Sequence, residues 1–138
     1  MIVYAETSAV LRWLFGEPEG ETVRRHLAEA ERVVSSHLTI LECYRSVVRL
    51  EAEIQPQART ELRSRVGEIG RHWTLVEIDA PVRARAAEPF PVEPVRTLDA
   101  IHLATMLELA RDLDLLCVLS FDRRIVDNAR ALGIRTAP

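Results

Sequence analysis

The sequence predicts an α/β domain built on a largely parallel sheet. Three observations predict it. Ile2–Ala5, Arg32–Ser36, Trp73–Ile78 and Leu115–Ser120 are short runs of continuous apolar or β-branched character rather than alternating ones, as expected when helices cover both sheet faces. Longer segments of helical periodicity separate these runs. Carboxylates follow the first and fourth runs, at the strand ends where open α/β sheets bind ligands.

The elements follow in order. After the first strand, Ser8–Phe15 reads as a helix, with Thr7 or Ser8 as candidate caps. The breaker "GEP" separates it from a second helix over Glu19–Ala30. Leu38–Glu53 and Pro56–Gly70 form a helical pair divided at "IQP". Ala80–Glu88 is a short helix, and "EPFPVEP" after it is a proline-rich loop without regular structure. Thr97 is expected to cap a helix reaching about Asp112. Asp122 opens the last helix, Gly133 is placed to end it, and Ile134–Thr136 is a weaker fifth strand. Residues 1–138 read as one domain, a size that buries most of the unfolded surface.

Composition excludes several chemistries. Hydrophobic residues make up 48% and charged residues 28%, which argues against disorder. The net charge of −3 neither announces nor forbids a nucleic-acid partner. All 18 basic residues are arginine, so a Walker lysine, a Schiff base and the lysine of a phospho-receiver domain are ruled out. Cys43 and Cys117 fit no zinc spacing and read as buried free thiols of a reducing compartment. No leader and no run of about 18 apolar residues is visible, so a cytoplasmic protein without a membrane span is expected.

Four acids carry the functional signal. Glu6 follows the first strand in "YAETSAV" and Asp122 follows the fourth in "VLSFDRR"; if those strands are neighbours, the two face each other. Asp122 is also an ideal helix cap, a role compatible with metal binding through its other oxygen. Asp99 sits in the first turn of "RTLDAIHLATM" above a largely apolar stripe, with His102 three residues on. Glu42, in "HLTILECYRSVVR", has Arg45 and Arg49 on its helix face as possible ion-pair partners. Carboxylates that converge repel one another, and a divalent cation relieves the repulsion. An all-oxygen ligand set suits Mg²⁺ or Mn²⁺ and points to phosphodiester chemistry. His102 reads either as a proton shuttle or as a hydrogen-bonded, semi-buried histidine.

These motifs, in this order and over essentially the whole chain, resemble the PIN-domain ribonucleases, above all the toxin subunits of VapBC-type toxin–antitoxin pairs. The resemblance implies a three-layer α/β/α sandwich on a parallel sheet of about five strands, order 3-2-1-4-5. It implies Mg²⁺- or Mn²⁺-dependent endonucleolytic cleavage of RNA. The metal would be held by Glu6, Glu42, Asp99 and Asp122, supported by the hydroxyl of Thr7 or Ser8. Arg123 and Arg124 are candidates for RNA phosphates. The expected partners are an RNA substrate, a small antitoxin and a second copy of the chain. Val10, Leu11, Trp13, Leu14 and Phe15 form a candidate antitoxin surface, against which stands burial in the chain's own core. The family usually has aspartate at the position of Glu6. The alternative is therefore a weakened or inactive PIN-like subunit that binds RNA or protein without cutting.

Overall fold

The computed structural model describes residues 1–114 and 116–138. Five strands, β1 (Ile2–Ala5), β2 (Arg32–Ser36), β3 (Thr74–Val76), β4 (Leu116–Leu119) and β5 (Arg135–Ala137), form one sheet in the order β3-β2-β1-β4-β5. Every pairing is parallel, and β1 lies at the centre with Val3 opposite both Val33 and Cys117. The helices are α1 (Thr7–Leu14), α2 (Gly20–Glu29), α3 (His37–Arg49), α4 (Pro56–His72), α5 (Ala80–Ala86), α6 (Thr97–Asp112) and α7 (Arg123–Ala131). No helix among the described residues is long and apolar enough to cross a membrane.

Successive strand side chains point to opposite faces, and this alternation makes the three layers. Val3, Ala5 and Leu119 pack against residues of α1, α2, α3 and α4, including Val10, Val23, Cys43 and Ile69. Tyr4, Val34, Leu116 and Val118 pack on the other face, against Leu103 and Met106 of α6 and Ile125 and Ala129 of α7. The proline-rich loop is irregular yet held in place. Phe90 is buried, and the Asn128 side chain brackets Val92, accepting from its amide and donating to its carbonyl at 2.9 Å each.

The first two strands have the boundaries the sequence predicts, and several other elements differ for identifiable reasons. The expected fourth strand begins at Leu115, which lies outside the described residues. Trp73 is not in β3: its amide closes α4 by donating to the Ile69 carbonyl, and its ring stacks on Trp13 with centroids 6.3 Å apart. Ile134 precedes β5 because its amide turns back to the Ala129 carbonyl. The third helix stops at Arg49 rather than Glu53. Thr97 begins α6 but does not cap it; Arg96 occupies the cap position without a side-chain bond. Gly133 does end the last helix, at φ 78°.

Val10 and Leu14 are corrections to the expected antitoxin surface. They lie four residues apart on the sheet-facing side of α1 and are 0% and 3% exposed, so both belong to the core. Leu11, Trp13 and Phe15 are only partly covered.

The turn from α1 into α2 depends on Gly20. A β-carbon there would lie 2.7 Å from the Arg12 carbonyl oxygen and 3.2 Å from Trp13 Cα, both backbone atoms. Gly20→Ala should therefore push the two helices apart and lower stability by about 1–3 kcal/mol, read as a reduced urea midpoint.

Candidate active site

Because β1 and β4 are paired neighbours with Ala5 opposite Leu119, Glu6 leaves the sheet beside Ser120. The Glu6 amide donates to the Leu119 carbonyl at 3.1 Å. Glu6 itself caps α1, where the sequence pointed to Thr7 or Ser8. Its Oε2 accepts from the Ser8 amide (3.1 Å), the Ser8 hydroxyl and the Ser120 hydroxyl (2.7 Å). Only 5% of Glu6 is exposed, and three donors on one oxygen make that burial tolerable. Ser120 Oγ also accepts from the Asp122 amide at 3.1 Å, so one hydroxyl ties the first acid to the segment bearing the last.

Glu42 comes over the edge of the sheet from α3. Its Oε1 accepts from the Thr7 hydroxyl at 2.7 Å and lies 2.7 Å from His102 Nε2. The alternative reading of Glu42, an ion pair with Arg45, does not form among the described residues. Arg49 instead donates to Ser46 Oγ and acts on Glu42 only as a more distant charge. Burial pushes the Glu42 carboxyl up, but His102, Thr7 and Arg49 outweigh it and hold the group below its usual range.

His102 is both central and 1% exposed. Its Nδ1 lies 2.8 Å from the Tyr4 hydroxyl, and its Nε2 lies 3.2 Å from Thr7 Oγ1 and 4.0 Å from Glu6 Oε1. Burial, followed by the charges of Glu6 and Glu42, pushes the Tyr4 phenol well above its usual range. The same two acids, after burial, push the Cys43 thiol up to about 12, which leaves it an inert core group.

Asp99 and Asp122 form the other half of the edge. Asp122 caps α7 with Oδ1, accepting from the Arg124 amide at 2.8 Å and the Ile125 amide at 3.4 Å. Asp99 Oδ2 is buried without a hydrogen-bond partner. Burial first, and then the Asp122 charge, push the Asp99 carboxyl up; the Arg96 backbone and Arg124 oppose this without cancelling it. Such an orphaned anionic oxygen is what a hard cation would satisfy. Among the described residues, no three Asp, Glu, His or Cys side chains close into a metal cage. The acids stand as two pairs. That open arrangement fits Mg²⁺, which keeps several waters and takes one or two carboxylates plus substrate phosphate.

Comparison with known proteins places this architecture. The PIN domain pattern matches residues 3–131. This chain belongs to the PIN domain family. Ribonuclease VapC46 of Mycobacterium tuberculosis (strain ATCC 25618 / H37Rv) is 34% identical over 132 residues, covering 96% of this chain and 93% of the relative. Ribonuclease VapC35 of the same strain is 30% identical over 135 residues, with the same two coverages. Among solved structures, FitAcB from Neisseria gonorrhoeae matches the fold with a TM-score of 0.76 at 20% identity, over 100% of this chain and 97% of that one. Mycobacterium tuberculosis VapC20, a sarcin-ricin loop cleaving toxin, matches with a TM-score of 0.68 at 16% identity, over 96% and 95%. The five-strand order of this PIN domain is the one the family resemblance implied.

Two clefts flank the acids of the PIN domain. Arg123 and Arg124 line one of about 510 Å³ beside Asp122; the Arg123 side chain is 92% exposed, with Asp127 3.6 Å away. Arg45 and Arg49 line another of about 250 Å³ beside Thr7 and Glu42, with Leu11 and Leu98 in its wall. Sequence reasoning missed Ser120, Tyr4 and this second arginine pair. Ser120 was findable, since it stands two residues before Asp122 at the end of the fourth strand.

Asp99 yields a stability test with a definite sign. Its folded pKa is raised, so the folded state holds the proton more tightly than the unfolded chain does. Ionisation therefore destabilises the fold above that raised pKa, and the penalty fades as pH falls through it toward the unfolded value near about 3.9. In metal-free protein, Asp99→Asn should be as stable as the parent or more stable at neutral pH. The advantage should shrink on acidification, as followed by thermal melts across pH.

Proposed function

We propose that the chain is a divalent-metal-dependent endoribonuclease, the toxin of a toxin–antitoxin pair, acting as one PIN-like domain on cellular RNA in the cytoplasm. The observation that carries this reading is the orphaned, buried Oδ2 of Asp99, whose carboxyl also feels the charge of Asp122. The relatives named ribonuclease, at 34% and 30% identity, support the RNA substrate. Asp99 and Asp122 would hold Mg²⁺ or Mn²⁺, Glu42 would hold it or orient water, and Glu6 would complete the set through Oε1. When bound, the cation supplies charge neutralisation at the scissile phosphate and a more acidic water.

The reaction is hydrolysis: water adds to phosphorus, the ester P–O bond breaks, and the leaving oxygen takes up a proton. Thr7 steadies Glu42, and Ser8 and Ser120 steady Glu6, so these carboxylates need little reorganisation when substrate arrives. Arg123 and Arg124 contact phosphates flanking the cut. A cognate antitoxin covers the partly exposed Leu11, Trp13 and Phe15, and the working unit is a homodimer. The solved neighbours that hold toxin and antitoxin together support the partner; one is FitAB bound to a DNA fragment, at TM-score 0.75.

A second reading rests on Glu6. Its Oε2 is already occupied by three donors, which leaves one oxygen for a metal and suits a subunit that binds without cutting. Cleavage assays on purified protein separate the two. EDTA should abolish RNA cleavage and Mg²⁺ or Mn²⁺ should restore it, while Asp99→Asn combined with Asp122→Asn should remove at least about 100-fold of the rate. Undiminished cleavage by the double variant rejects the site. Arg124→Ala should weaken RNA binding and flatten its salt dependence by about one charge, with the cut position unchanged.

A further inference from the structure

We infer that Tyr4 and His102 are positioning residues, forming a fixed Tyr4–His102–Glu42 hydrogen-bond relay that aims Glu42 at the metal. In this relay His102 accepts from Tyr4 on Nδ1 and donates to Glu42 from Nε2. The inference rests on the proposed metal site, and the geometry carries the rest. A fully buried phenol hydroxyl must place its hydrogen on an acceptor, and His102 Nδ1, at 2.8 Å, is the side-chain atom Tyr4 meets. Nδ1 then has no hydrogen of its own. Nε2 holds the ring's single proton and donates it to Glu42 Oε1 at 2.7 Å.

The Thr7 hydroxyl donates to the same Oε1 at 2.7 Å, so two donors from different elements fix this oxygen. With Oε1 held, the second Glu42 oxygen is the one left for a cation. An outer group that orients a metal-ligating side chain in this way typically affects metal affinity by 10–100-fold. The relay also explains an otherwise costly arrangement. A tyrosine in the central strand, 0% exposed, and a histidine 1% exposed satisfy each other inside an apolar layer. The relay crosses both helical layers: Tyr4 is on β1, His102 on α6 and Glu42 on α3.

The test uses two readouts on the full chain, one of them free of metal. Nitrogen-15 NMR of the His102 imidazole in metal-free protein should show Nε2 protonated and Nδ1 bare. In Tyr4→Phe that tautomer preference should be lost. A ring protonated on Nδ1 in the parent protein overturns the relay. Calorimetric titration with Mn²⁺ should then give a Kd at least about tenfold weaker in Tyr4→Phe, with the KM for RNA unchanged and kcat reduced. His102→Gln, whose amide can replace the Nε2 donor, should keep more Mn²⁺ affinity than His102→Leu. Circular dichroism melts confirm that each variant is folded. An unaltered protein that binds no Mn²⁺ overturns the metal-site reading itself. Mn²⁺ binding by the parent with an unchanged Kd in folded Tyr4→Phe overturns the relay alone, as does His102→Leu equal to His102→Gln.

Discussion

Parallel pairing of β1 with β4, with Ala5 opposite Leu119, is the constraint on which the carboxyl edge depends. That register sets Glu6 beside Ser120, turns Tyr4 toward α6, and leaves Ala5 facing α1 and α3. A slip of one residue would exchange the faces, driving Tyr4 into the layer that now receives Ala5. His102 would then lose the hydroxyl on its Nδ1, and Ser120 would lose Glu6. The strand order 3-2-1-4-5 places the same β1–β4 boundary beside the central strand, where chain direction across the sheet reverses and the strand ends form a crevice.

The two pairs of acids manage their charge differently. Glu6 and Glu42 are met by hydroxyl, amide and imidazole donors, so their positions are set before anything binds. Asp99 and Asp122 share a less protected part of the edge, where one oxygen of Asp99 has no partner and its carboxyl is pushed up by burial and by Asp122. One half of the edge is organised in advance, and the other stores unfavourable electrostatic energy that a cation would release on binding. Stability and the proposed metal binding would pull against each other at Asp99 for that reason.

The architecture was legible where it follows from local pattern. Ile2–Ala5 is a continuous apolar run and Arg32–Ser36 is built on the Val33–Val34 pair, and both strands have the expected limits. β3 was over-read because Trp73 is as apolar as a strand residue, while its real role, stacking on Trp13, depends on α1 some sixty positions away. Leu14 was misplaced on an outer surface because an eight-residue helix with large apolar side chains on several sides does not reveal which of them meet α3 and α4. All four acids were identifiable as candidates. Their partners were not: His102 meets Glu42 sixty residues away and Tyr4 ninety-eight residues away, and no spacing rule reports such contacts. Glu6 as a cap was equally hidden, since glutamate is a poor N-cap and works here only with Ser8 and Ser120 beside it.

Charge is segregated around this edge, and the segregation resolves an apparent conflict with the net charge of −3. The acids are drawn inward: Glu6 is buried, and Glu42 and Asp99 are partly covered. The arginines stand outside them. Arg123 and Arg124 line the cleft on the Asp122 side, and Arg45 and Arg49 line the cleft on the Glu42 side. On the Glu42 side a polyanion approaching from solvent meets these guanidinium groups beside a single carboxylate, whereas on the Asp122 side Glu93 and Asp127 line the same cleft as the arginines. Because fields between exposed groups are screened within about 8–10 Å, this local ordering matters more to such an approach than the sum over the chain. Arginine suits both positions, since it stays charged beside carboxylates and its planar fork matches a phosphate's oxygens. A mildly acidic chain can in this way present a locally cationic cleft beside Glu42.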